Sequence, residues 1–385
     1  MTKPKLPFAN RVRRLAPGGG FGLDGNLHPC RILFVAPPVG PIGSGEAGGV
    51  ETHLLGLVGV LAARGYEVGG VAPAGSAIPA ARLHPVTGEA SPSATRAARD
   101  AVSVARTGGV LENMWELALR MQSDYDVVIG VSYDWLPYYL TPFFRTAIGH
   151  WISICSAIEV VDRMIEKRWR EGSLKLALYT AAQVRTYPFL EAGRVQLLYG
   201  GVDTAVFRYR AQPGNRLCWA GRISPEKGLE DAIAAARALD MPLDVCGTIQ
   251  DEAYWHSAMR DAGARVAYRG FLGPAELARR YAGARVTLMT PRWTEAFGNT
   301  VIESMACGTP VVAYDRGGPA EIVEHARSGI LVPQEAGVQG LVEGVRAAMR
   351  LDRRAVRARA EEFSFDRMAD RFERWMESVV DRSPA

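Results

Sequence analysis

Two glutamates eight positions apart are the clearest candidates for chemistry in this sequence. Glu295 and Glu303 bracket the string Glu-Ala-Phe-Gly-Asn-Thr-Val-Ile-Glu, which follows the apolar segment Val286–Met289 and a short loop containing Pro291 and Trp293. The apolar segment predicts a buried strand. Carboxylates at this distance from a strand end are suited to accept hydrogen bonds from the hydroxyl groups of a sugar.

A helix over Asn299–Ala306, ended by Gly308 and Pro310, is predicted directly after this loop. Its amino terminus offers the free N–H groups of Gly298, Asn299 and Thr300 to an anion. Glu295 then precedes the helix and Glu303 lies one turn inside it. Amides for a phosphate beside carboxylates for hydroxyls suit a nucleotide sugar. Acidic residues that favour the helix dipole would explain Glu303 alone.

Two cations share an earlier strand-to-helix connection, Gly221-Arg-Ile-Ser-Pro-Glu-Lys-Gly228. Arg222 and Lys227 could pair with a diphosphate from two sides. The chain has 40 Arg and 5 Lys, and Lys227 is the last Lys. A single Lys in an Arg-rich half indicates that a compact point charge has a function at this position, although chance also explains it.

Glycine-rich loops follow two further strands. Residues 43–48 spell G-x-G-x-x-G between a strand and a helix, which is typical of a dinucleotide site. The next strand ends Gly70-Val-Ala-Pro73 without the acidic residue that such a site places on the ribose, which argues against NAD(P). Two interpretations remain: the loop is a turn that needs glycine, or the amides of Gly48 and Gly49 approach the phosphate of another ligand. Residues 315–321 form the other loop.

Strands that alternate with helices predict two α/β domains with doubly wound parallel sheets. The polar segment 208–215, with Pro213-Gly214, is a linker candidate. We therefore expect an N-terminal arm over 1–28, domains over 29–207 and 208–365, and a C-terminal helix over 366–385 that packs back on the first domain. The strand expectations include Arg31–Ala36, His150–Cys155 and Leu217–Ala220.

Composition limits the class of protein. At 385 residues with 48% hydrophobic and 22% charged residues, the chain suits a two-domain globular protein. It has no apolar run of about 18 residues that would span a membrane. The first thirty residues are basic and do not resemble a signal peptide. The five cysteines form no C-x-x-C pair, which favours a reduced, cytoplasmic chain without a cysteine metal site.

The net charge of +4 lies in the first half. A basic first half indicates an acidic acceptor or an anionic membrane surface, and a solvated surface explains it equally. Lys167-Arg-Trp-Arg170 is the strongest local signal for a peripheral membrane contact. Nucleic acid is not expected, because no basic run is interleaved with aromatic residues.

From Arg31 to Val380 the chain resembles the retaining nucleotide-sugar glycosyltransferases of the large family 4, most clearly from Gly200 onward. The fold implied is GT-B, two Rossmann-like domains facing a central cleft. The matching strings are Gly48-Gly-Val-Glu-Thr-His53, Gly201-Val-Asp203 with Phe207, Gly221-Arg222 with Lys227-Gly228, Glu295-x-Phe-Gly298 through Glu303-Ser-Met-Ala-Cys-Gly308, and Gly317-Gly318 with Glu321-Ile-Val323.

The resemblance implies roles for most of these residues. Arg222 and Lys227 would neutralise the diphosphate leaving group, and Glu295 would hold the donor sugar with the amides of Phe297, Gly298 and Asn299. Glu303 would bind the ribose, the backbone at Gly270 and Phe271 would receive the base, and Gly48 and Gly49 would close on the phosphates. It implies transfer to a hydroxyl acceptor with retained configuration and without a metal. It implies no prosthetic group and a UDP-sugar donor, with a GDP-sugar as the alternative.

The acceptor half departs from the pattern of this family. Tyr133-Asp134-Trp135 stands where His-Asp-Trp is frequent, Cys155 and Ser156 stand where another His is frequent, and Gly200 replaces the usual Asn. Asp134 is a candidate for contact with the acceptor or its proton, and helix capping explains it equally. His53 lines the cleft or is a packed core histidine.

Other functions of the same architecture remain as alternatives. They are a nucleotide-sugar epimerase, a phosphorylase with pyridoxal phosphate on a lysine, and a non-catalytic protein that binds nucleotide sugars. The four charged donor residues argue against the last. The acceptor is expected to be a small molecule, a saccharide or a lipid-linked compound, and the sequence predicts no oligomeric state.

Overall fold

The computed structural model describes residues 20–23, 26–45, 48–94, 97–102 and 108–381. Most of the predicted N-terminal arm and residues 46 and 47 of the first glycine-rich loop lie outside this set. The chain forms two compact units. The first contains the chain up to Leu178, then Phe189–Leu198 and the residues from Ala369 onward; the second contains Tyr179–Pro188 and Tyr199–Met368.

A parallel sheet forms the centre of the first unit, preceded by a short antiparallel pair, β1 (Gly20–Leu23) with β2 (Asn26–Pro29). In the described residues the sheet has the order β5-β4-β3-β6-β7-β8-β9, and every neighbouring pair is parallel. Its strands are β3 (Arg31–Val35), β4 (Glu67–Pro73), β5 (Arg82–Val86), β6 (Val127–Gly130), β7 (Ala147–Trp151), β8 (Leu176–Leu178) and β9 (Gln196–Leu197).

Helices form most of the connections between these strands, and the central strands are buried because both faces are covered. In β3 the residues Ile32 to Val35 are almost wholly inaccessible. The helices of this part of the chain are α1 (Gly49–Ala63), α2 (Val110–Met121), α3 (Trp135–Leu140), α4 (Glu159–Arg170) and α5 (Ala181–Val184), of which α5 lies in the second unit.

The second unit also has a parallel sheet, with the order β12-β11-β10-β13-β14-β15 over the residues described. Its strands are β10 (Leu217–Ala220), β11 (Leu243–Cys246), β12 (Val266–Tyr268), β13 (Val286–Met289), β14 (Val311–Tyr314) and β15 (Gly329–Val332). Numbered within the unit this is the order 3-2-1-4-5-6 of a Rossmann fold. The prediction of two doubly wound α/β domains is therefore confirmed.

The helices of the second unit alternate with its strands and form the crossovers that parallel neighbours need. They are α6 (Leu229–Ala238), α7 (Glu252–Met259), α8 (Pro274–Gly283), α9 (Asn299–Ala306), α10 (Pro319–Ile322), α11 (Gly337–Ala348) and α12 (Arg353–Glu361); α13 (Phe365–Val380) follows. Apolar residues of α6 and α11, among them Ile233 and Leu341, pack on one face of this sheet.

Boundaries follow the predictions closely in the second unit and less closely in the first. The helix Asn299–Ala306 and the strand Leu217–Ala220 have the expected limits. The limits of the strand expected over His150–Cys155 are wrong, because β7 covers Ala147–Trp151. The polar pair Cys155-Ser156 instead lies in the connection to α4, where the Ser156 hydroxyl donates to the carboxylate of Asp162 at 2.6 Å.

The last helix joins the first unit from Ala369 onward. Phe372 is fully buried and stacks on Phe34 of β3 with ring centroids 5.6 Å apart. Arg64, just after α1, pairs with Asp370 at 2.9 Å and with Glu373 at 2.7 Å. Compared with the expected limits 29–207 and 208–365, the second unit also takes Tyr179–Pro188 and Tyr199–Phe207.

Candidate donor site

The candidate site of the second unit lies where its strand order reverses. Strands β10 and β13 are neighbours, and the chain leaves them toward helices on opposite sides of the sheet. The carboxyl end of β10 leads to Arg222 and Lys227, and that of β13 leads to Glu295. In open α/β sheets this crevice is where ligands bind. The topology therefore brings Glu295 close to Arg222 and Lys227, which lie more than sixty positions earlier in the chain.

Lys227 and Glu295 form a close ion pair. Lys227 Nζ donates to Glu295 Oε1 at 2.6 Å and to Oε2 at 2.8 Å, and both side chains are largely buried. The indole Nε1 of Trp293 donates to Glu295 Oε2 at 2.8 Å. The ammonium group also lies 4.8 Å from the centroid of the Trp293 ring. The position of Trp293 in the loop before Glu295 does not by itself indicate this contact.

Arg222 is held in the same neighbourhood by polar partners on two loops. Its Nη1 donates to Gln250 Oε1 at 3.0 Å, and its Nη2 lies 3.6 Å from Glu226 Oε1. Its Cζ is 6.0 Å from the centroid of the Trp293 ring. Gln250, in the loop after β11, was not among the residues predicted from the sequence, because a single uncharged amide matches none of the motifs considered. The guanidinium remains partly exposed, and its predicted contact with a diphosphate stays a prediction.

Gly228 explains how Lys227 reaches this position. Gly228 has φ +62, and a Cβ there would collide with the carbonyl oxygen of Thr290. The Thr290 hydroxyl donates to the carbonyl of Gly228 at 2.7 Å. The left-handed residue and this bond tie the loop after β10 to the end of β13. The glycine is required here because both its backbone angle and the close approach exclude a side chain.

The amino terminus of α9 lies beside this pair of loops. Gly298 has φ +110 and directly precedes the helix, whose first residue is Asn299. The Thr300 hydroxyl donates to the carbonyl of Ala220 at 3.1 Å, which fixes the helix to the end of β10. The Phe297 ring is buried, so its predicted contact with a donor would have to come from its backbone.

Glu303 lies inside α9 in an apolar environment. Burial raises its pKa from 4.5 to about 7, and the nearby Tyr281 hydroxyl partly opposes this shift. The side chain of Tyr281 is itself fully buried. Glu303 is therefore a carboxyl group that changes its charge near neutral pH.

The loop that carries Glu295 is supported from behind by the third glycine-rich loop. Gly318 N donates to the carbonyl of Glu295 at 2.8 Å. A Cβ at Gly318 would lie 2.5 Å from Phe297 Cα, so the two loops pack backbone against backbone. Only glycine permits this approach. Residues 317 and 318 pack on the loop that carries Glu295, and binding of a phosphate by this loop stays a prediction.

Glu321 ties a distant segment to the same loop. Its carboxylate accepts from Ala181 N at 3.0 Å and from Ala182 N at 2.5 Å, at the start of α5. The Thr180 hydroxyl beside them donates to the carbonyl of Ala296 at 2.8 Å. This explains why residues 179–188 belong to the second unit although the chain on either side belongs to the first.

Gly270 and Phe271, expected to receive the base, follow β12. Gly270 has φ +73, and its carbonyl accepts from Gly247 N at 2.8 Å. Phe271 is 66% exposed. They lie at the carboxyl edge of the sheet, the same edge as the loops that carry Arg222 and Glu295. Their binding role stays a prediction.

In the first unit, Gly48 precedes α1 with φ +70 and Gly49 begins it. The buried carboxylate of Glu51 accepts from Gly43 N at 2.5 Å and from Gly45 N at 3.0 Å. A side chain of the protein thus occupies the amides that a dinucleotide would use, which supports the argument against NAD(P). The predicted contact of Gly48 and Gly49 with a phosphate stays a prediction.

Asp134 and His53 also lie in the first unit. Asp134 precedes α3 and accepts from Trp135 N at 2.7 Å, so it caps this helix. Burial raises its pKa to about 6, a value that also suits proton exchange with an acceptor. His53 lies on the buried side of α1, and burial lowers its pKa to about 3, which keeps the ring neutral.

The basic string Lys167-Arg-Trp-Arg170 lies on α4. Trp169 is buried, Arg168 pairs with Glu171 at 2.7 Å, and Arg170 pairs with Glu166 at 2.6 Å. Much of the charge that suggested a membrane contact is therefore neutralised within the helix. None of the helices in the described ranges is long and apolar enough to cross a membrane.

Comparison with known proteins places the sequence beside glycosyltransferases. Residues 202–363 match the family model of "Glycosyl transferases group 1". The D-inositol 3-phosphate glycosyltransferase of Jonesia denitrificans is 34% identical over 177 residues, which are 41% of this chain and 42% of the relative. The enzyme of that name from Pseudarthrobacter chlorophenolicus is 27% identical over 346 residues, covering 78% of this chain and 81% of the relative. The stronger match thus spans less than half of its relative.

Solved structures extend the comparison to the fold of the whole chain. Sucrose-phosphate synthase from Thermosynechococcus elongatus superposes with a TM-score of 0.73 at 19% identity, over 92% of this chain and all of that one. Anabaena HepE in complex with UDP and glucose gives a TM-score of 0.70 at 17% identity, over 91% of this chain and all of that one. The chain has the GT-B fold. These comparisons agree with the prediction of an enzyme of the glycosyltransferase class.

Proposed function

We propose that this protein is a glycosyltransferase that moves a sugar from a nucleoside-diphosphate sugar to a hydroxyl acceptor, with retained configuration and without a metal. The observation that carries the proposal is the cluster of Arg222, Lys227, Glu295 and Trp293 at the point where the strand order reverses. A cation pair beside a carboxylate and a helix amino terminus matches the charges and hydroxyls of such a donor.

Each group of the cluster has a part in the proposed reaction. Lys227 and Arg222 stabilise the negative charge that grows on the diphosphate as the bond to the sugar breaks. Glu295 accepts from sugar hydroxyls, and the amides at the start of α9 bind phosphate oxygens. Glu303, in its ionised form, accepts hydrogen bonds from the ribose hydroxyl groups. Because these cations supply positive charge at the leaving group, the proposal needs no metal there.

The donor and the acceptor are proposed by chemistry. HepE has been solved with UDP and the two relatives are named for D-inositol 3-phosphate, so a UDP-sugar and a phosphorylated polyol are the first pair to test. Saccharide and lipid-linked acceptors are the next. A GDP-sugar is the alternative donor. The contact with an anionic membrane stays a prediction, tested by sedimentation with anionic vesicles at low and high salt.

The proposal is tested by ligand-dependent stability and then by turnover. A binding donor raises the unfolding temperature by mass action, so a panel of UDP-, GDP- and ADP-sugars identifies the nucleotide. With the best donor and a set of acceptors, release of nucleoside diphosphate measures transfer, and NMR of the product gives its anomeric configuration. We expect Lys227→Ala and Glu295→Ala to lower turnover about a hundredfold. Wild-type turnover by both variants would contradict the assigned roles.

A further inference from the structure

Trp293 contacts each of the three charged side chains of the donor cluster, and neither the motifs nor the family resemblance assigned it a role. Its Nε1 donates to Glu295 Oε2 at 2.8 Å, and its ring centroid lies 4.8 Å from Lys227 Nζ and 6.0 Å from Arg222 Cζ. The residue is only partly buried. Trp219 in the same unit is different, since it is buried in the apolar core and donates to Thr290.

The ion pair that Trp293 contacts has to change when a diphosphate arrives. Lys227 now gives hydrogen bonds to both oxygens of Glu295, at 2.6 and 2.8 Å. An ammonium group has three N–H donors, so a diphosphate competes with Glu295 for the same group. If Lys227 turned to the phosphate, Glu295 would lose its cation and would retain the neutral indole donor. That donor has a single N–H and a stiff ring, which holds the carboxylate in one orientation.

We propose that Trp293 is a positioning residue of the donor site with two separable actions. Its N–H keeps Glu295 directed at the sugar while Lys227 moves between the carboxylate and the diphosphate. Its ring face holds Lys227 and Arg222 on one side of the site by cation–π attraction. This inference rests on the proposed function, because it assumes a nucleoside-diphosphate sugar at the cluster.

Two substitutions separate the two actions. Trp293→Phe keeps an aromatic face and removes the N–H, whereas Trp293→Leu removes both. The probes are UDP, which lacks the transferred sugar that Glu295 would hold, and UDP-glucose, which has it. Binding of both is measured by calorimetry. If the donor panel identifies another base, the corresponding diphosphate and sugar replace them. Arg292→Ala is the control on the same loop, since Arg292 is exposed and pairs with Glu230 and Asp231.

Trp293→Phe is expected to leave the Kd for UDP within about twofold of the wild type and to reduce the added affinity for UDP-glucose about fivefold. Trp293→Leu is expected to weaken UDP itself about threefold to tenfold. Arg292→Ala should bind both probes as the wild type does. If Trp293→Phe bound UDP and UDP-glucose with the same Kd values as the wild type, the positioning role would be overturned. The same holds if the variant lost affinity for the two probes by the same factor.

A measurement without ligand separates this inference from the proposed function. The chain has 8 Trp, so a nitrogen-15 spectrum of the indole groups is simple, and the signal missing in Trp293→Phe is that of Trp293. We expect Glu295→Gln to shift that signal and Arg292→Ala to leave it in place. An unmoved signal would refute the contact even if donors bind. A shifted signal in a protein that binds no nucleotide sugar would refute the proposed function and retain the contact.

Discussion

At the scale of single residues, the two glutamates of the donor site differ in how they carry charge. Glu295 is compensated by Lys227 and by the indole of Trp293. Burial in an apolar environment raises the pKa of Glu303 to about 7. Two carboxyl groups with different environments commonly have different roles. We infer that Glu303 becomes a full hydrogen-bond acceptor only as its proton leaves.

Stability should depend on pH through Glu303. Its pKa is raised from 4.5 to about 7, so the folded chain holds a proton that the unfolded chain releases between these values. The stability that this group contributes is present below pH 4.5 and is lost as the pH rises through 7. Glu303 is partly exposed, and solvent there screens the effect of burial. We therefore expect the loss of unfolding free energy to be on the order of 1 kcal/mol.

Glu303→Gln should remove this loss. Urea denaturation of both proteins at several pH values from 4.5 to 8 gives the difference in unfolding free energy, in which other titrating groups cancel. The variant should gain stability relative to the wild type across this window. Two parallel pH profiles would show that Glu303 does not titrate there. Donor affinity should also rise through pH 7 in the wild type and be flatter in the variant.

Lys227 and Glu295 should be energetically coupled. Lys227→Met leaves a largely buried carboxylate with the indole donor alone, and we expect a loss of about 1 to 3 kcal/mol. The double variant Lys227→Met/Glu295→Gln should lose less than the sum of the single variants, with a coupling energy of about 1 to 2 kcal/mol. Urea denaturation of the four proteins measures the cycle. Additive losses would contradict a direct pair in solution.

At the scale of elements, sequence patterns predicted most of the second unit. Gly298 before Asn299–Ala306 and Gly308 after it gave the limits of α9, because glycine ends helices through its backbone freedom. The strand over His150–Cys155 was wrong, since apolar character alone does not locate the end of a buried strand. The contacts of Trp293 and Glu321 could not be predicted, because they join segments through the tertiary fold and follow no local period.

The close approach of two loops gives a test at this scale. Gly318→Ala would place a Cβ against the Phe297 backbone, although the φ of −55 at this position suits alanine. The loop with Glu295 must then shift, and we expect a loss of about 1 to 3 kcal/mol with weaker donor binding. Gly273→Ala is the matched control, since nothing lies within 4 Å of its Cβ position. Equal thermal stability of the two variants would contradict this packing.

At the scale of the whole molecule, the last helix is a structural part of the first unit. Phe372→Ala removes a fully buried ring that stacks on β3, and we expect the first unit to lose about 3 to 5 kcal/mol. Glu377→Ala, on the exposed side of the same helix, should change little. Calorimetry checks this as a lower unfolding temperature for one of two transitions. An unchanged thermogram would show that α13 is dispensable for the fold.

The first unit cannot be completed in the order in which a ribosome makes the chain. Strand β3 is synthesised more than three hundred residues before Phe372, which covers Phe34. During translation the apolar face of β3 is therefore exposed until α13 has been made. Most of the second unit is synthesised in one continuous stretch and can fold first. A nascent chain stalled before residue 369 should therefore recruit chaperones through its amino-terminal half. Release from them should follow synthesis of α13.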